Sequence, residues 1–216
     1  MWGLTVPANA TNDTVVVGVP YGVTNVERRA VRDATRNAGA REVHIIEEPM
    51  SAAIGIRLPV KDPVGSMIID IGGGTSEIAV IALGGIVCDK SIRIAGDDFN
   101  ANIEEYMRRQ HNILIGERSA EQVKIEVGAA MTEIDNPPAD YAVQGRDLMT
   151  GVPKQITLTY TEIAHCLDKS ISKIEEAILK ALEITPPELS ADIYQKGIYL
   201  TGGGALLRGL DKRISS

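Results

Sequence analysis

Two runs of three glycines, Gly72-Gly73-Gly74 and Gly202-Gly203-Gly204, each stand directly behind an apolar stretch, Met67-Ile68-Ile69-Asp70-Ile71 and Ile198-Tyr199-Leu200-Thr201. Glycine lets backbone N–H groups converge on an anion with no side chain in the way. The second triplet also opens a helical pattern from Ala205 to Lys212, and unsatisfied amides at a helix start favour electron-rich ligand atoms. One triplet alone is compatible with a plain tight turn. A pair, one of them flanked by Asp70 and Thr75, points to nucleotide phosphates. Two common phosphate-binding designs fail on residue identity. A P-loop needs Gly-Lys-Ser/Thr after its glycines, and neither triplet has it. A dinucleotide fingerprint needs glycine at the sixth position, where Glu77 and Leu207 stand. What remains is a hairpin in which Asp70 leaves one strand, glycines clasp phosphate and Thr75 begins the return strand.

Composition narrows the class. The 216 residues are 44% hydrophobic and 24% charged, near the globular average and incompatible with a disordered chain or a coiled coil. Only 4% are aromatic, so the core rests on Ile, Val, Leu and Ala. The net charge of -7 and the lack of a basic stripe argue against nucleic acid, whose phosphates demand a basic excess. Cys88 and Cys166 are far apart and suit a reducing compartment. His44, His111 and His165 show no ligand-like spacing, which argues against structural zinc. No run approaches the roughly 18–20 apolar residues of a membrane span. Met1–Pro7 lacks the basic start and apolar core of a signal peptide, so the chain reads as cytosolic. Trp2 and Leu4 read as a frayed terminus.

Along the chain the pattern is that of an α/β layer. A β-branched run over Thr14–Pro20 predicts a strand. Thr24 and Glu27 form a capping box for a helix that Gly39 stops. A strand at Val43–Ile46 and a small-residue helix from Met50 to Gly55 complete strand–helix–strand–helix order. Asp62-Pro63-Val64-Gly65 marks a boundary. The return strand Thr75–Ile81 meets Gly84-Gly85, a dipeptide suited to a two-residue hairpin turn. Ile86–Cys88 and Ser91–Ile94 then extend an antiparallel sheet. Phe99, Ile103 and Met107 mark a helix over 98–110, and Ser119 with Gln122 predicts a capping box for the next. Strands at Tyr141–Val143 and Gln155–Leu158 flank a turn and define a small inserted subdomain. A long helix carries Ile163, Leu167, Ile171, Ile174 and Ile178 on its buried side. Pro186 and Pro187 start another, with Glu188 placed to cap it.

Three of these runs resemble motifs of the actin/Hsp70/sugar-kinase superfamily. Asp70-Ile71-Gly72-Gly73-Gly74-Thr75 resembles its second phosphate motif, and Leu200-Thr201-Gly202-Gly203-Gly204-Ala205 its adenosine motif. Glu47-Glu48-Pro49-Met50-Ser51-Ala52-Ala53 resembles its first connecting motif. More narrowly, Ile94–Asp97, Ile115–Arg118, Thr185–Leu189 and Leu206–Asp211 are similar to the MreB family of bacterial actins, a likeness running from about Val15 to Asp211. The resemblance implies an α/β, actin-like ATPase fold with an incomplete first lobe and a mostly complete second lobe that carries an inserted small subdomain. Residues 1–62 would form the partial first lobe, 63–98 and 163–216 the second, and 99–162 the insertion.

By motif position, Asp70 would hold Mg2+ through water. Gly72, Gly73, Gly74 and Thr75 would take the phosphates. Glu48 would orient the attacking water with help from Thr75, while Glu47 points away. Glu121 and Lys124 would approach the adenosine of ATP, and Gly202, Gly203, Gly204 and Ala205 its adenine and α-phosphate. Hydrolysis in such a site is mostly positioning and charge stabilisation. The family's ATPase is slow and coupled to polymerisation into a filament that guides cell-wall synthesis. Its partners are further copies of itself, the cytoplasmic face of the membrane and elongation proteins such as RodZ. The location implied is cytoplasmic and peripheral to the membrane. The superfamily's first phosphate hairpin and its closing helices have no counterpart here, and residues 1–13 match no family pattern. The resemblance therefore implies a partial chain with weakened ATP binding, and leaves its turnover open. A chaperone ATPase or sugar kinase of the same superfamily, or an inactive remnant that only binds partners, are the alternatives.

Overall fold

The computed structural model describes residues 14–216, so the readings of Trp2 and Leu4 lie outside the described residues. The chain divides into two compact units. The first runs to Ile68 and adds Glu77–Ser91 and Thr185–Tyr199; the second comprises Ile69–Ser76, Ile92–Ile184 and Leu200–Ser216.

In chain order the first elements are β1 (Thr14–Val19), α1 (Asn25–Asn37), β2 (Glu42–Glu47), α2 (Glu48–Gly55), β3 (Ser66–Ile71), β4 (Ser76–Ala82) and β5 (Gly85–Ile92). The helix α1 starts as its sequence demands. The Thr24 hydroxyl accepts from the Glu27 amide at 3.3 Å, and the Glu27 carboxylate accepts from the Thr24 amide at 2.8 Å. With α1 as crossover, β1 and β2 pair in parallel, Thr14 opposite Glu42 through to Val19 opposite Glu47. The strand β2 runs straight into α2, where Pro49 occupies the first turn, the one place a helix tolerates it without losing a hydrogen bond. Ala53, Ile68, Ala79 and Ile81 are wholly buried and gather Met50, Leu58, Val60 and Ile86 around them. Each isoleucine so buried contributes about 1.5–3 kcal/mol.

One turn differs from expectation. The strands β4 and β5 are joined by Leu83-Gly84 rather than Gly84-Gly85, with φ of 52° and 75°. That is the doubly positive turn of a two-residue hairpin, shared only by antiparallel neighbours. Its register slips by one because the loop before β3 receives it: the Leu83 amide donates to Asp62 O at 2.9 Å and the Gly84 amide to Val60 O at 2.6 Å. Further on, β5 runs unbroken from Gly85 to Ile92.

The remaining elements are α3 (Gly96–His111), β6 (Ile113–Leu114), α4 (Glu117–Val127), β7 (Tyr141–Asp147), β8 (Pro153–Leu158), α5 (Tyr160–Glu183), α6 (Pro187–Lys196), β9 (Ile198–Thr201) and α7 (Leu210–Ser215). Four strands stand in the order β5-β4-β3-β9, and β6-β7-β8 make a small antiparallel sheet. The second unit is built around α5. Its Ile163, Leu167, Ile171 and Ile174 are fully buried, and Phe99, Ile103 and Met107 of α3 are equally closed to solvent. The expected capping box at Ser119 does not form. The helix α4 begins three residues earlier, capped at Gly116, whose carbonyl accepts from the Ser119 and Ala120 amides while Gln122 bonds Glu126. A box does form at Thr159 and Glu162, at the head of α5. The single helix expected from Ala205 to Lys212 is broken into a 3-10 turn over Gly203–Leu206 and the separate α7. Gly209, at φ 75°, makes the break, and Arg208 leaves helical geometry to bridge with Ala129.

Candidate functional site

The cavity and both glycine triplets lie within the second unit. The site begins at the end of β3, where five of six residues are buried and Asp70 alone is partly open. The hairpin that follows is closed by the Gly72 amide donating to Thr75 O at 2.9 Å. Its carbonyls then meet the start of α3: the Gly96 amide donates to Gly72 O at 3.0 Å and the Asp97 amide to Gly73 O at 2.8 Å. Two of the amides that a helix start leaves without intrahelical partners are satisfied in this way. The first triplet is thereby fastened to α3.

The second triplet is pressed against the same strand end. A Cβ on Gly202, where φ is 85°, would stand 2.3 Å from Ile71 O and 2.5 Å from Asp70 Oδ1. One on Gly204 would stand 2.3 Å from Ile71 Cγ2. No side chain fits at either position, whereas a Cβ on Gly203 between them meets nothing within 4 Å. The two triplets thus share one strand end as their common support.

Between them opens a cavity of about 520 Å³, within the usual range of small-molecule sites. Gly72 and Gly73 line one end, with Gly96, Asp97 and Phe99 of α3 beside them. Glu121, Lys124 and Ile125 of α4 form a wall. Gly203, Gly204, Leu206, Leu207 and Arg208 close the far side.

Its charges are arranged by hydrogen bonds. Lys124 Nζ donates to Glu121 at 2.6 Å and to Gly96 O at 3.2 Å, tying α4 to the start of α3. Asn100 Nδ2 donates to the same Glu121 oxygen at 2.7 Å. Burial pushes the Glu121 carboxyl up, but the bonds from Lys124 and Asn100 outweigh it and hold the group below its ordinary value. Arg208 donates to Ile125 O at 2.8 Å, covering the end of α4. Asp70 is the opposite case: burial alone pushes its carboxyl above the usual range. A cation next to it would offset that desolvation.

Six of the residues predicted from sequence line this one cavity: Gly72, Gly73, Glu121, Lys124, Gly203 and Gly204. Gly74 and Thr75 continue the hairpin, Ala205 lies in the 3-10 turn, and Gly202 and Asp70 adjoin each other behind the cavity. Glu48 opens α2 in the first unit, its Cγ 3.4 Å from where a Cβ on Gly18 would stand, and Glu47 beside it is paired with Arg28 at 2.8 Å. Sequence reasoning assigned no role to Gly96, Asp97, Phe99, Ile125, Leu206, Leu207 or Arg208. The signal for several of them was the pair of runs Ile94–Asp97 and Leu206–Asp211, noted for their likeness and not for chemistry.

The protein-family model described as MreB/Mbl protein matches residues 4–216, reaching into the amino-terminal stretch that the motif pattern left unmatched. The cell shape-determining protein MreB of Escherichia coli (strain K12) is 51% identical over 200 residues, which is 93% of this chain and 57% of that protein. The cell shape-determining protein Mbl of Bacillus subtilis (strain 168) is 42% identical over 201 residues, 93% of this chain and 60% of that one. The chain therefore spans a little over half the length of these relatives. Among solved structures, MreB 5 of Spiroplasma citri bound to AMPPNP superposes with a TM-score of 0.88 at 40% identity, covering 93% of this chain and 60% of that one. The MamK double helical filament follows at a TM-score of 0.74 and 21% identity, covering 93% and 59%, a likeness of fold alone.

Proposed function

The chain belongs to the MreB/Mbl family, and on that premise we propose that it is the nucleotide-binding portion of an ATP-dependent, actin-like filament protein that organises cell-wall synthesis and maintains cell shape. The observation that carries the reading is the shared cavity, with Gly72 and Gly73 at one end and Gly203 and Gly204 at the other. The relatives named for cell shape support it over the chaperone, kinase and remnant readings. The MreB 5 structures of Spiroplasma citri, bound to AMPPNP and to ADP, support a nucleotide as the ligand.

In this reading Gly73, Gly74 and Thr75 hold the β- and γ-phosphates, and Gly203, Gly204 and Ala205 pack on the adenosine side. Glu121 and Lys124 face the adenosine, pre-set by their mutual ion pair. Asp70 anchors Mg2+ through water. The donor set fits that ion: Mg2+ is held by one or two carboxylates together with substrate phosphates, and Asp70 offers a partly buried carboxylate whose desolvation a cation would offset. When bound it neutralises charge developing on the phosphates. Glu48 orients the attacking water and Thr75 assists. Self-association into filaments is the partner reading, with RodZ and the cytoplasmic membrane face beyond it and a peripheral cytoplasmic location. Residues 1–62 are read as part of one lobe, 63–98 with 163–216 as the other and 99–162 as its insertion.

Equilibrium binding of Mg-ATP followed by sedimentation tests the reading. Saturable binding and ATP-dependent pelleting are expected; binding of no nucleotide would refute it. Glu48→Ala should leave binding near normal while slowing any hydrolysis, and equal hydrolysis rates would reject that role.

A further inference from the structure

We propose that Asp97 makes occupancy of the phosphate end of the cavity conditional on a divalent cation. The proposal rests on the nucleotide reading above and concerns a residue to which that reading gives no part. Asp97 is the second residue of α3 and lines the cavity. Its amide holds Gly73 O, and its carboxylate lies over the glycine hairpin: Oδ1 and Oδ2 are 3.4 and 3.6 Å from the Cβ position of Gly73, and Oδ2 is 3.9 Å from that of Gly74. A phosphate cradled there would have this carboxylate as a close neighbour.

The cations that line the same cavity are committed elsewhere. Lys124 is engaged by Glu121 and Gly96 O, and Arg208 by the carbonyls ending α4. The adjacent Asp98 is spent on the Ala95 amide, which its carboxylate accepts at 3.0 Å. Among the described residues Asp97 has no ion-pair partner. A cation-free triphosphate therefore meets a like charge, whereas a cation seated between the two would turn repulsion into attraction. The plain alternative is that Asp97 only complements the dipole of α3. That role would affect stability and not the dependence of affinity on cation.

The test is titration of the whole chain with a fluorescent ATP analogue, once in excess MgCl2 and once in EDTA. Asp97→Asn should tighten cation-free binding by about tenfold, the scale of one nearby like charge at a protein surface, and change Mg-bound affinity little. Asp97→Glu should keep the wild-type discrimination. Asp97→Ser, compatible with a first helical turn, repeats the test if the Asn variant melts early. Unchanged cation-free affinity in the neutral variants, or an equal shift under both conditions, would overturn the proposal. Failure of the wild-type chain to bind under either condition would instead sink the nucleotide reading, and the role of Asp97 with it.

Discussion

At the scale of residues, the site depends on positions where a side chain cannot exist and one where a charge is costly. Gly204→Ala would drive a methyl to 2.3 Å from Ile71 Cγ2, so either the 3-10 turn or the end of β3 must move. We expect a loss of about 1–3 kcal/mol in stability by urea titration, together with weaker nucleotide binding; an unchanged midpoint would show that the contact yields freely. Asp70 behaves differently. Burial raises its carboxyl above the ordinary value, and an acid whose folded pKa is raised weakens the fold once the solution pH exceeds its unfolded pKa. Asp70→Asn should therefore melt on the order of 2 °C higher without ligand, yet lose Mg-dependent nucleotide binding. A lower melting temperature, or intact Mg-dependent binding, would contradict the role given to it. Both residues could be singled out in the sequence because the glycine triplets stand directly behind apolar runs, with Gly204 in one and Asp70 flanking the other. Leu206, Leu207 and Arg208 could not be, because their place at the cavity follows from the break at Gly209, and a glycine there reads equally well as part of a helix.

At the scale of elements, tertiary hydrogen bonds decided what local patterns left open. The β4–β5 turn puts Leu83, not glycine, at positive φ because Asp62 O and Val60 O stand ready to receive the turn amides. A non-glycine residue in this region carries about 1–2 kcal/mol of strain. Leu83→Asn should recover part of that, raising the urea midpoint without altering its slope; a lowered midpoint would mean that the leucine side chain packs usefully. The helix α5 is fixed at its head by Thr159 and Glu162. Thr159→Ala should destabilise by about 1 kcal/mol, measurable as a shift in the same midpoint. Burial raises the Glu162 carboxyl, but bonds from Thr159 and Tyr106 and the charge of His111 bring it below its usual value. A depressed acid contributes stability above its unfolded pKa, about 4.3, and loses it as pH falls through the folded value. Glu162→Gln should accordingly flatten the fall in melting temperature below about pH 4; an unchanged acid limb would remove Glu162 from the account. Thr159 was missed at the sequence level because Tyr160 and Thr161 blur the helix start, whereas Thr24 and Glu27 stand before an unbroken helical run and were read correctly.

At the scale of the molecule, the order of apolar runs, glycine triplets and capping signals was enough to indicate an α/β, actin-like architecture, which the comparison structures bear out. What the order could not convey is that the glycine hairpin is bonded to the start of α3 and that α3 and α4 are joined by Lys124, since those links are between distant segments. If ATP is the ligand, Mg-ATP at a hundred times its dissociation constant should stabilise the chain by about 2.7 kcal/mol, read as a melting shift that Gly204→Ala diminishes. The most direct measurement is a crystal structure of the chain grown with Mg2+ and AMPPNP. The phosphates are expected at Gly72–Gly74 beside Asp70, and the adenosine between the Glu121–Lys124 pair and Gly203–Gly204. A nucleotide seated outside that cavity, or held there with its phosphates away from the first triplet, would contradict the assignment.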